Sequence, residues 1–458
     1  MTEFAQTSWL RRFIREYGMV FILLLLVAYY SYATIERHYP TGADAARLVT
    51  ERVAEQLEGQ ARILVAAHPG PDGEEFARKA AGQLRRAGFE IAGLVQGEPA
   101  DLRRELGRIA DDGTTLDAMV VTRNAGQWRL LDMISDQFPS LDGVAFFSAE
   151  SYLWPDFLTH SNLVAIADRI VVIALIAIGM TMVIITGGID LSVGSLVALS
   201  AVVTTVFIRD AMGGVDASGW GVILGCLVGA AACGVVGMFS GMMVTVFSIP
   251  PFIVTLAMMQ VARGLAFLLA GGESVYHVPA TIEWLGRGRT FGVPHTVGLM
   301  IVLYAAAYVL MNKSVLGRYI YAVGGNIEAA RLSGVPVRLV TLFVYAACGL
   351  LAGLGGVVQA SQLQSGAPTY GVMYELYVIA AVVVGGTSLS GGRGNIMGTL
   401  IGAFIIAVIQ NGMNLTGVES YTQKVVLGGV ILAAVLLDIQ RRQDFSILQK
   451  LRGLWSRK

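Results

Sequence analysis

Long apolar runs alternate with short polar connections along most of the chain. A helix needs about 20 apolar residues to cross the hydrocarbon layer of a membrane, and ten runs approach or exceed that length. They cover 17–35, 168–187, 192–209, 219–248, 251–271, 295–312, 339–360, 373–387, 395–415 and 423–440. The pattern predicts an α-helical polytopic membrane protein with about ten transmembrane helices. Composition agrees, because 14% of the residues are charged, whereas soluble domains carry about 25%.

The first run predicts a retained transmembrane helix. It follows Arg11, Arg12 and Arg15 as a signal peptide would, but Glu36 to Pro40 stand where cleavage would need small residues. A cleaved signal is the alternative, and it would lower the helix count by one.

Basic residues predict the orientation of the helices. The arginines before the first run and the basic tail 441–458 place both termini in the cytoplasm, as an even number of crossings requires. The connection between the sixth and seventh runs falls on the same side through Lys313, Arg318, Arg331 and Arg338.

The polar stretch 41–160 differs from the rest of the chain. It holds 19 acidic and 12 basic residues and alternates predicted strands with predicted helices. Strands are expected at 63–67, 89–95, 116–121 and 143–147, and helices at 74–87, 100–112 and 126–138. This alternation predicts an inserted α/β domain of parallel β-α-β units, flavodoxin-like, outside the membrane. The turn His68–Gly73 could bind an anion at a helix N-terminus or be a plain strand-to-helix turn.

Four segments follow from these patterns. They are a cytoplasmic tail with the first helix (1–40), the extracytoplasmic α/β insert (41–160), a core with helices two to ten (161–440), and the basic cytoplasmic tail (441–458).

The segment Gly187–Ser195 places one carboxylate, two hydroxyls and three glycines between two apolar runs. Glycine weakens helices and a charge inside a membrane is costly, so the segment is not a plain lipid-facing anchor. Asp190 is expected either to cap the helix that follows or to lie in a translocation pathway or cytoplasmic gate.

Five separated blocks of the membrane portion resemble the permease subunits of bacterial ribose/xylose-type sugar importers powered by a separate ABC ATPase. The blocks are Ser161–Leu163 with Ile178–Ser195, Thr255–Met259 with Arg263-Gly264, Gly324–Val335, Tyr374–Leu376 with Gly385–Gly394, and Asn411–Leu415. The resemblance covers 160–440. The insert is similar, in pattern only, to one lobe of a periplasmic sugar-binding protein, and we expect it to dock a partner or to regulate.

The resemblance implies that the third block is a cytoplasmic helix docking on the ATPase. Its Glu328–Leu332 core favours a helix and Gly334 a stop; the alternative is a surface helix with a Glu-x-x-Arg pair. The expected coupling residues are Gly325, Asn326, Glu328, Ala329, Ala330, Arg331, Ser333 and Gly334.

Polar and small residues of the apolar runs are candidates for the pathway or its gate. They are Gly188, Asp190, Ser192, Gly194, Gln260, Thr387, Ser388, Asn411 and Asn414. The hydroxyls and amides among them could instead form hydrogen bonds between helices. Glu375 is expected to pair with Arg263 or to face a helix dipole.

The reading is therefore a sugar-importer permease of the bacterial inner membrane, not an enzyme. The sequence carries no P-loop, so ATP-Mg would bind to the partner ATPase, and we expect no cofactor, metal or catalytic residue in this chain. The resemblance implies two permease copies, two ATPase subunits and a periplasmic sugar-binding protein, which the insert could replace or gate. Lipid would surround the helices, and no nucleic-acid role is expected. Alternatives are an importer of nucleosides or another small polar solute, and a receptor sensing a ligand through the insert.

Overall fold

The computed structural model describes residues 2–57 and 60–443, with backbone only for 2–17, 437, 438 and 440–443. The predicted basic tail lies outside the described residues from position 444 on. The chain forms two compact units. The larger unit contains the segments before Ile35 and after Pro155, and the smaller unit is Ile35–Pro155.

The smaller unit follows helix α1 (Thr2–Ala33), which belongs to the larger unit. Its elements in chain order are β1 (Ile35–His38), α2 (Gly42–Gln56), β2 (Arg62–Ala67), α3 (Pro71–Arg86), β3 (Glu90–Gln96), α4 (Pro99–Asp111), β4 (Ala118–Val121), α5 (Arg123–Gly126), α6 (Arg129–Asp132), α7 (Ile134–Gln137), β5 (Ala145–Phe147) and β6 (Tyr152–Pro155). β1 pairs with β6 in an antiparallel ribbon.

Four of these strands form a parallel sheet in the order β3-β2-β4-β5. Helices α2 and α3 pack on one face, where Phe76 and Leu84 are buried against Val65. Helix α4 packs on the other face, where Leu102 and Leu106 are buried. The sheet is thus covered on both sides, as parallel sheets are.

The predicted helix 126–138 is wrong. The segment forms the short helices α5, α6 and α7 instead. Thr122 caps the first of them through its side chain, and this helix already ends at Gly126, a residue that costs helix stability. Tight i→i−3 bonds follow, from Gln127 N–H to Asn124 and from Trp128 N–H to Ala125, so no continuous α-helical ladder forms.

The larger unit is helical. After α1 it contains α8 (His160–Ile185), α9 (Val193–Ala211), α10 (Gly219–Val246), α11 (Pro251–Ala270), α12 (Glu283–Gly286), β7 (Arg289–Thr290), β8 (Val293–Pro294), α13 (His295–Lys313), α14 (Val315–Gly325), α15 (Ile327–Leu332), α16 (Val337–Leu363), α17 (Tyr374–Val384), α18 (Ile396–Leu415) and α19 (Ser420–Gln443). Among the described residues, seven of these helices are long and apolar enough to cross a membrane: α8, α9, α10, α11, α13, α16 and α18. Shorter apolar helices are 18–33 of α1, α17 and 420–436 of α19. The chain is therefore a polytopic helical membrane protein.

Helix α16 lies at the centre of this unit and packs against α8, α9 and α10. Its contact with α10 uses glycines, because a Cβ added at Gly237 would overlap the carbonyl oxygen of Tyr345, and one added at Gly349 would overlap that of Cys233. Residues without side chains let two membrane helices approach backbone to backbone. The free thiols Cys233 and Cys348 are buried in the same region as small packing residues.

Candidate functional site

Three glycine-rich segments that are far apart in the sequence meet at one end of the helical unit. The backbone N–H of Gly392 donates to the carbonyl oxygen of Ile185, the last residue of α8, at 2.8 Å. Gly324, near the end of α14, lies against both, since a Cβ added there would overlap the Ile185 oxygen and come within 2.6 Å of the Gly392 nitrogen. A third link joins the Tyr321 hydroxyl to the Gly394 carbonyl at 2.9 Å. The ends of α8 and α14 and the connection between α17 and α18 thus meet backbone to backbone.

Helices α8 and α17 end in the same way before this junction. Gly187 and Gly386 both adopt the left-handed conformation, with φ of +84° and +86°. In each case the glycine N–H and the following N–H bond back to carbonyls of the last helical turn, the arrangement of a glycine C-cap. A side chain at either position would strain the turn, which explains why both segments carry glycine there.

The predicted coupling helix is present as α15. The side-chain oxygen of Asn326 accepts hydrogen bonds from the N–H groups of Glu328 and Ala329, both at 3.0 Å, so this residue is the N-cap. Gly334 has φ of +83° beyond the last turn. Glu328 and Arg331 form an ion pair at 3.3 Å with both side chains exposed. The helix therefore begins and stops where the sequence indicates.

Two apolar side chains of α15 face outward. Leu332 is 88% exposed and Ile327 is 47% exposed, whereas Ala330 is buried against the bundle. A short helix that buries its alanine and exposes its leucine is held to the unit by one face and leaves the other face open. This outward face therefore carries two apolar side chains, Ile327 and Leu332, beside the exposed ion pair of Glu328 and Arg331.

The N-cap prediction for Asp190 is wrong in position. Helix α9 begins one residue after Ser192, which is its N-cap. Asp190 is fully buried, and its Oδ1 accepts hydrogen bonds from the Ser192 N–H at 2.9 Å and the Ser192 hydroxyl at 2.6 Å. Asp190 therefore holds the backbone turn before the helix. Its Oδ2 and the nearby Tyr345 hydroxyl have no hydrogen-bond partner among the described residues.

Helices α9 and α17 begin close to each other. A Cβ added at Gly194, in the first turn of α9, would overlap both the Glu375 carboxylate and the Gly371 carbonyl oxygen. Glu375 lies in the first turn of α17 and so reaches the N-terminal end of α9, where a helix dipole favours a negative charge. The structure thus supports the helix-dipole interpretation of Glu375.

Arg263 feels the charge of Glu375, but among the described residues the two do not form an ion pair within 4.0 Å. Its guanidinium donates to the carbonyl oxygens of Pro368 at 2.6 Å and Tyr370 at 2.7 Å. These bonds hold the non-helical segment between α16 and α17. Helix α17 has only 11 residues. It and the non-helical segment before it together occupy the stretch of chain between α16 and the glycine junction.

The remaining pathway candidates do not form one group. Thr387 and Ser388 are buried near the glycine junction, and the Thr387 hydroxyl has no partner among the described residues. Gln260 is exposed on α11. Asn411 exchanges hydrogen bonds with Asn162, at 2.8 and 3.1 Å, near the opposite end of α8. Asn414 accepts from Gln423 at 2.8 Å on an exposed surface. For Asn411 the interhelical hydrogen bond is the interpretation that the structure supports.

Sequence reasoning missed a polar cluster around Asp168. Its carboxylate accepts a hydrogen bond from the Thr296 hydroxyl at 2.5 Å, and the Gln362 amide lies 3.4 Å from the same oxygen. These residues come from α8, α13 and α16. The available signal was a carboxylate at the first position of the second apolar run, because an ionisable residue in a membrane helix marks a functional site.

Comparisons with known proteins decide the family. The family model described as the permease component of the branched-chain amino acid transport system matches residues 162–435. The chain belongs to this permease family. Within it, the chain is 44% identical over 296 residues to the ribose import permease of Escherichia coli K12, covering 64% of this chain and 90% of that protein.

Two further relatives are similar. The ribose import permease of Bacillus subtilis 168 is 46% identical over 290 residues, covering 63% of this chain and 88% of the relative. The L-arabinose ABC transporter permease of Azospirillum brasilense is 37% identical over 330 residues, covering 72% and 94%. No solved structure matches the chain.

Membership confirms several expectations together. The permease is a transport subunit and not an enzyme, and it is a multi-pass protein of the inner membrane. Proteins of this family associate with an ATPase and a substrate-binding protein.

Proposed function

We propose that this permease imports a monosaccharide by alternating access, driven by ATP-Mg that binds to a separate ABC ATPase. The relatives supply the substrate class, since their names specify ribose, L-arabinose and D-allose. The family model also covers branched-chain amino acid permeases. Sugar is preferred because the most similar relatives named above are sugar permeases. The same names favour sugar over nucleosides, and they favour transport over a receptor role.

The observation that carries the proposal is the glycine junction beneath α15. Helix α15 follows α14 directly, and Gly324 of α14 touches the backbone of Ile185 and Gly392. A partner that pushes on α15 would therefore also move the end of α8 and the connection between α17 and α18. Backbone contacts without intervening side chains are stiff, because there is no flexible group to absorb the displacement.

The pathway would lie where α9 and α17 begin. Membrane transporters place substrate sites at discontinuous helices, whose N-termini face the ligand. Here Gly194 and Gly371 bring the two helix starts together, and Asp190 holds the turn that precedes α9. Gly188, Ser192, Thr387 and Ser388 would form the gate beside the junction.

The full assembly in this proposal contains two permease copies and two ATPase subunits. Each permease would cross the membrane ten times with both termini in the cytoplasm, α1, α17 and α19 adding to the seven long helices. The smaller unit would lie outside as an inserted α/β domain. A periplasmic binding protein would deliver the sugar to it or be replaced by it. The coupling surface on each copy would comprise Gly325, Asn326, Glu328 to Arg331, Ser333 and Gly334.

The test substitutes the exposed pair of α15. In Glu328→Ala/Arg331→Ala, uptake of D-ribose into cells that express the importer should fall severely, while membrane insertion and the melting midpoint stay unchanged. An exposed ion pair stabilises a protein by only about 0–1 kcal/mol, so a folding defect is not expected.

The matched control is Arg47→Ala/Glu51→Ala, which removes another exposed ion pair at 3.0 Å, on α2. It should leave uptake near the wild-type value. Wild-type uptake in the α15 double variant would refute the assignment of this helix. Equal loss in both variants would show a general effect of removing surface charge.

A further inference from the structure

The smaller unit contains a cavity of about 260 Å³. It lies at the edge of the parallel sheet where the strands end. His68 follows β2 directly, Thr122 follows β4 directly, and Tyr39 follows β1. All the residues that line it belong to this unit.

The cavity coincides with the point where the chain changes direction across the sheet. From β2 the chain passes to β3 on one side, and β4 and β5 follow on the other side of β2. The helices that leave β2 and β3 pack on opposite faces. In open parallel sheets, ligands bind beyond the carboxyl ends of the strands at this switch point. The topology thus predicts a ligand at the position where the cavity is found.

Hydrogen bonds and a cation–π contact fix the side chains that line the cavity at the switch point. The His68 backbone N–H donates to the Thr122 hydroxyl oxygen at 3.2 Å, and the His68 Nδ1 lies 3.2 Å from the same oxygen. The Arg123 guanidinium stacks on the Tyr39 ring, 3.1 Å from its centroid, and a cation over an aromatic ring is held in place by the ring quadrupole. Two strands and one loop therefore hold a polar wall in a defined arrangement.

The wall favours a ligand with many hydroxyls, because it offers both donors and acceptors. Asp72 accepts, Arg37 and Arg123 donate, and Asn124 can do both. Asp72 and Glu74 occupy the first turn of α3, which weakens the attraction of that helix N-terminus for an anion, whereas the two arginines add positive charge to the lining; phosphate is therefore the competing probe. The volume suits a ligand smaller than the drug-sized molecules that fill about 300–1,000 Å³.

We infer that this cavity is a monosaccharide-binding site on the permease chain itself. It deepens the proposed function and rests on it for the substrate class, because it gives the smaller unit a binding site of its own. Asp72 accepts hydroxyl hydrogens of the sugar, Arg123 and Asn124 donate to its oxygens, and Thr122 closes the base of the site. Transport among the helices could be wrong in its assigned substrate and this site would still bind sugar.

The test measures equilibrium binding to the full chain in lipid nanodiscs by isothermal titration calorimetry. The probes are D-ribose, L-arabinose, D-allose and, separately, inorganic phosphate. We expect at least one sugar to bind with one equivalent per chain and phosphate not to bind. Asp72→Ala and Asn124→Ala each remove one polar partner at an exposed position, and each should weaken binding about tenfold or more.

The control Asp111→Ala removes an exposed carboxylate at the end of α4, away from the cavity lining, and should bind as the wild type does. Unchanged melting midpoints would show that the variants fold, and the two cavity variants are independent of each other. The inference is overturned by no sugar binding at millimolar concentration, by phosphate binding in place of sugar, or by sugar binding that both cavity variants retain.

Discussion

The substitution Gly324→Ala tests the glycine junction directly. The added methyl group would overlap the carbonyl oxygen of Ile185 and lie 2.6 Å from the amide nitrogen of Gly392. Both neighbours are backbone atoms, so no side chain can rotate away. The α14 segment has to separate from the end of α8 and from the connection between α17 and α18, and the 2.8 Å hydrogen bond between Gly392 and Ile185 is lost or stretched.

The cost follows from two contributions. Overpacking a close contact costs about 1–3 kcal/mol, and a buried backbone hydrogen bond left unmade costs about 1–3 kcal/mol. Together they destabilise the junction by about 2–6 kcal/mol. The adjacent Gly325 is the matched control, because a Cβ added there meets no described atom within 4 Å. Gly325→Ala should gain up to about 1 kcal/mol from helix propensity.

The assay compares the two variants in D-ribose uptake and in thermal unfolding of the purified chain in detergent. Gly324→Ala should lower the melting midpoint and nearly abolish uptake, whereas Gly325→Ala should melt at or above the wild-type midpoint. A melting midpoint of Gly324→Ala at the level of Gly325→Ala, or uptake by Gly324→Ala at the wild-type level, would refute the rigid contact of the three segments.

Two further predictions concern buried contacts of the helical unit. Asp190→Ala should lower the free energy of unfolding by about 1–3 kcal/mol. It should lower the melting midpoint and uptake more than Asp190→Asn, which keeps an acceptor for the Ser192 N–H. Equal defects in the two variants would contradict the proposed role of Asp190 in holding the turn. Gly237→Ala should lower the yield of folded protein in size-exclusion chromatography, because the added methyl group overlaps the Tyr345 carbonyl oxygen. The control Gly264→Ala should not lower it, because a Cβ added there meets no described atom within 4 Å. Equal yields would count against the close contact of α10 and α16.

The membrane helices could be predicted from the sequence, because segments whose side chains face lipid or the interior of the helical bundle are apolar over about 20 residues. The run 373–387 corresponds to α17 (Tyr374–Val384) and locates its start to within one residue. It extends three residues too far at the other end, because the glycine cap at Gly386 stops the helix while the sequence stays apolar. The same limit applies to Asp190, whose sequence position suits a cap but whose turn delays the helix to Val193.

The meeting of distant segments was not predictable from the sequence. Gly187–Ser195, Gly324–Val335 and Gly385–Gly394 are recognisable as unusual, yet nothing local indicates that Ile185, Gly324 and Gly392 touch. Side-chain orientation is equally hidden. Gln260 is as polar as Asn411, but one is exposed and the other pairs with Asn162. The sequence does not indicate the hydrogen bonds of Asp168, because its partners Thr296 and Gln362 come from helices far along the chain.

Cross-linking tests directly whether α15 is the surface on which an ATPase docks. Leu332 is 88% exposed, so Leu332→Cys presents a thiol there, while Val215→Cys, 58% exposed in the turn after α9, is the control. Both variants are cross-linked in native membranes, purified and analysed by mass spectrometry. We expect an ABC ATPase attached through position 332 and not through position 215. Recovery of an ATPase through position 215 alone, or of no ATPase through either position, would contradict it.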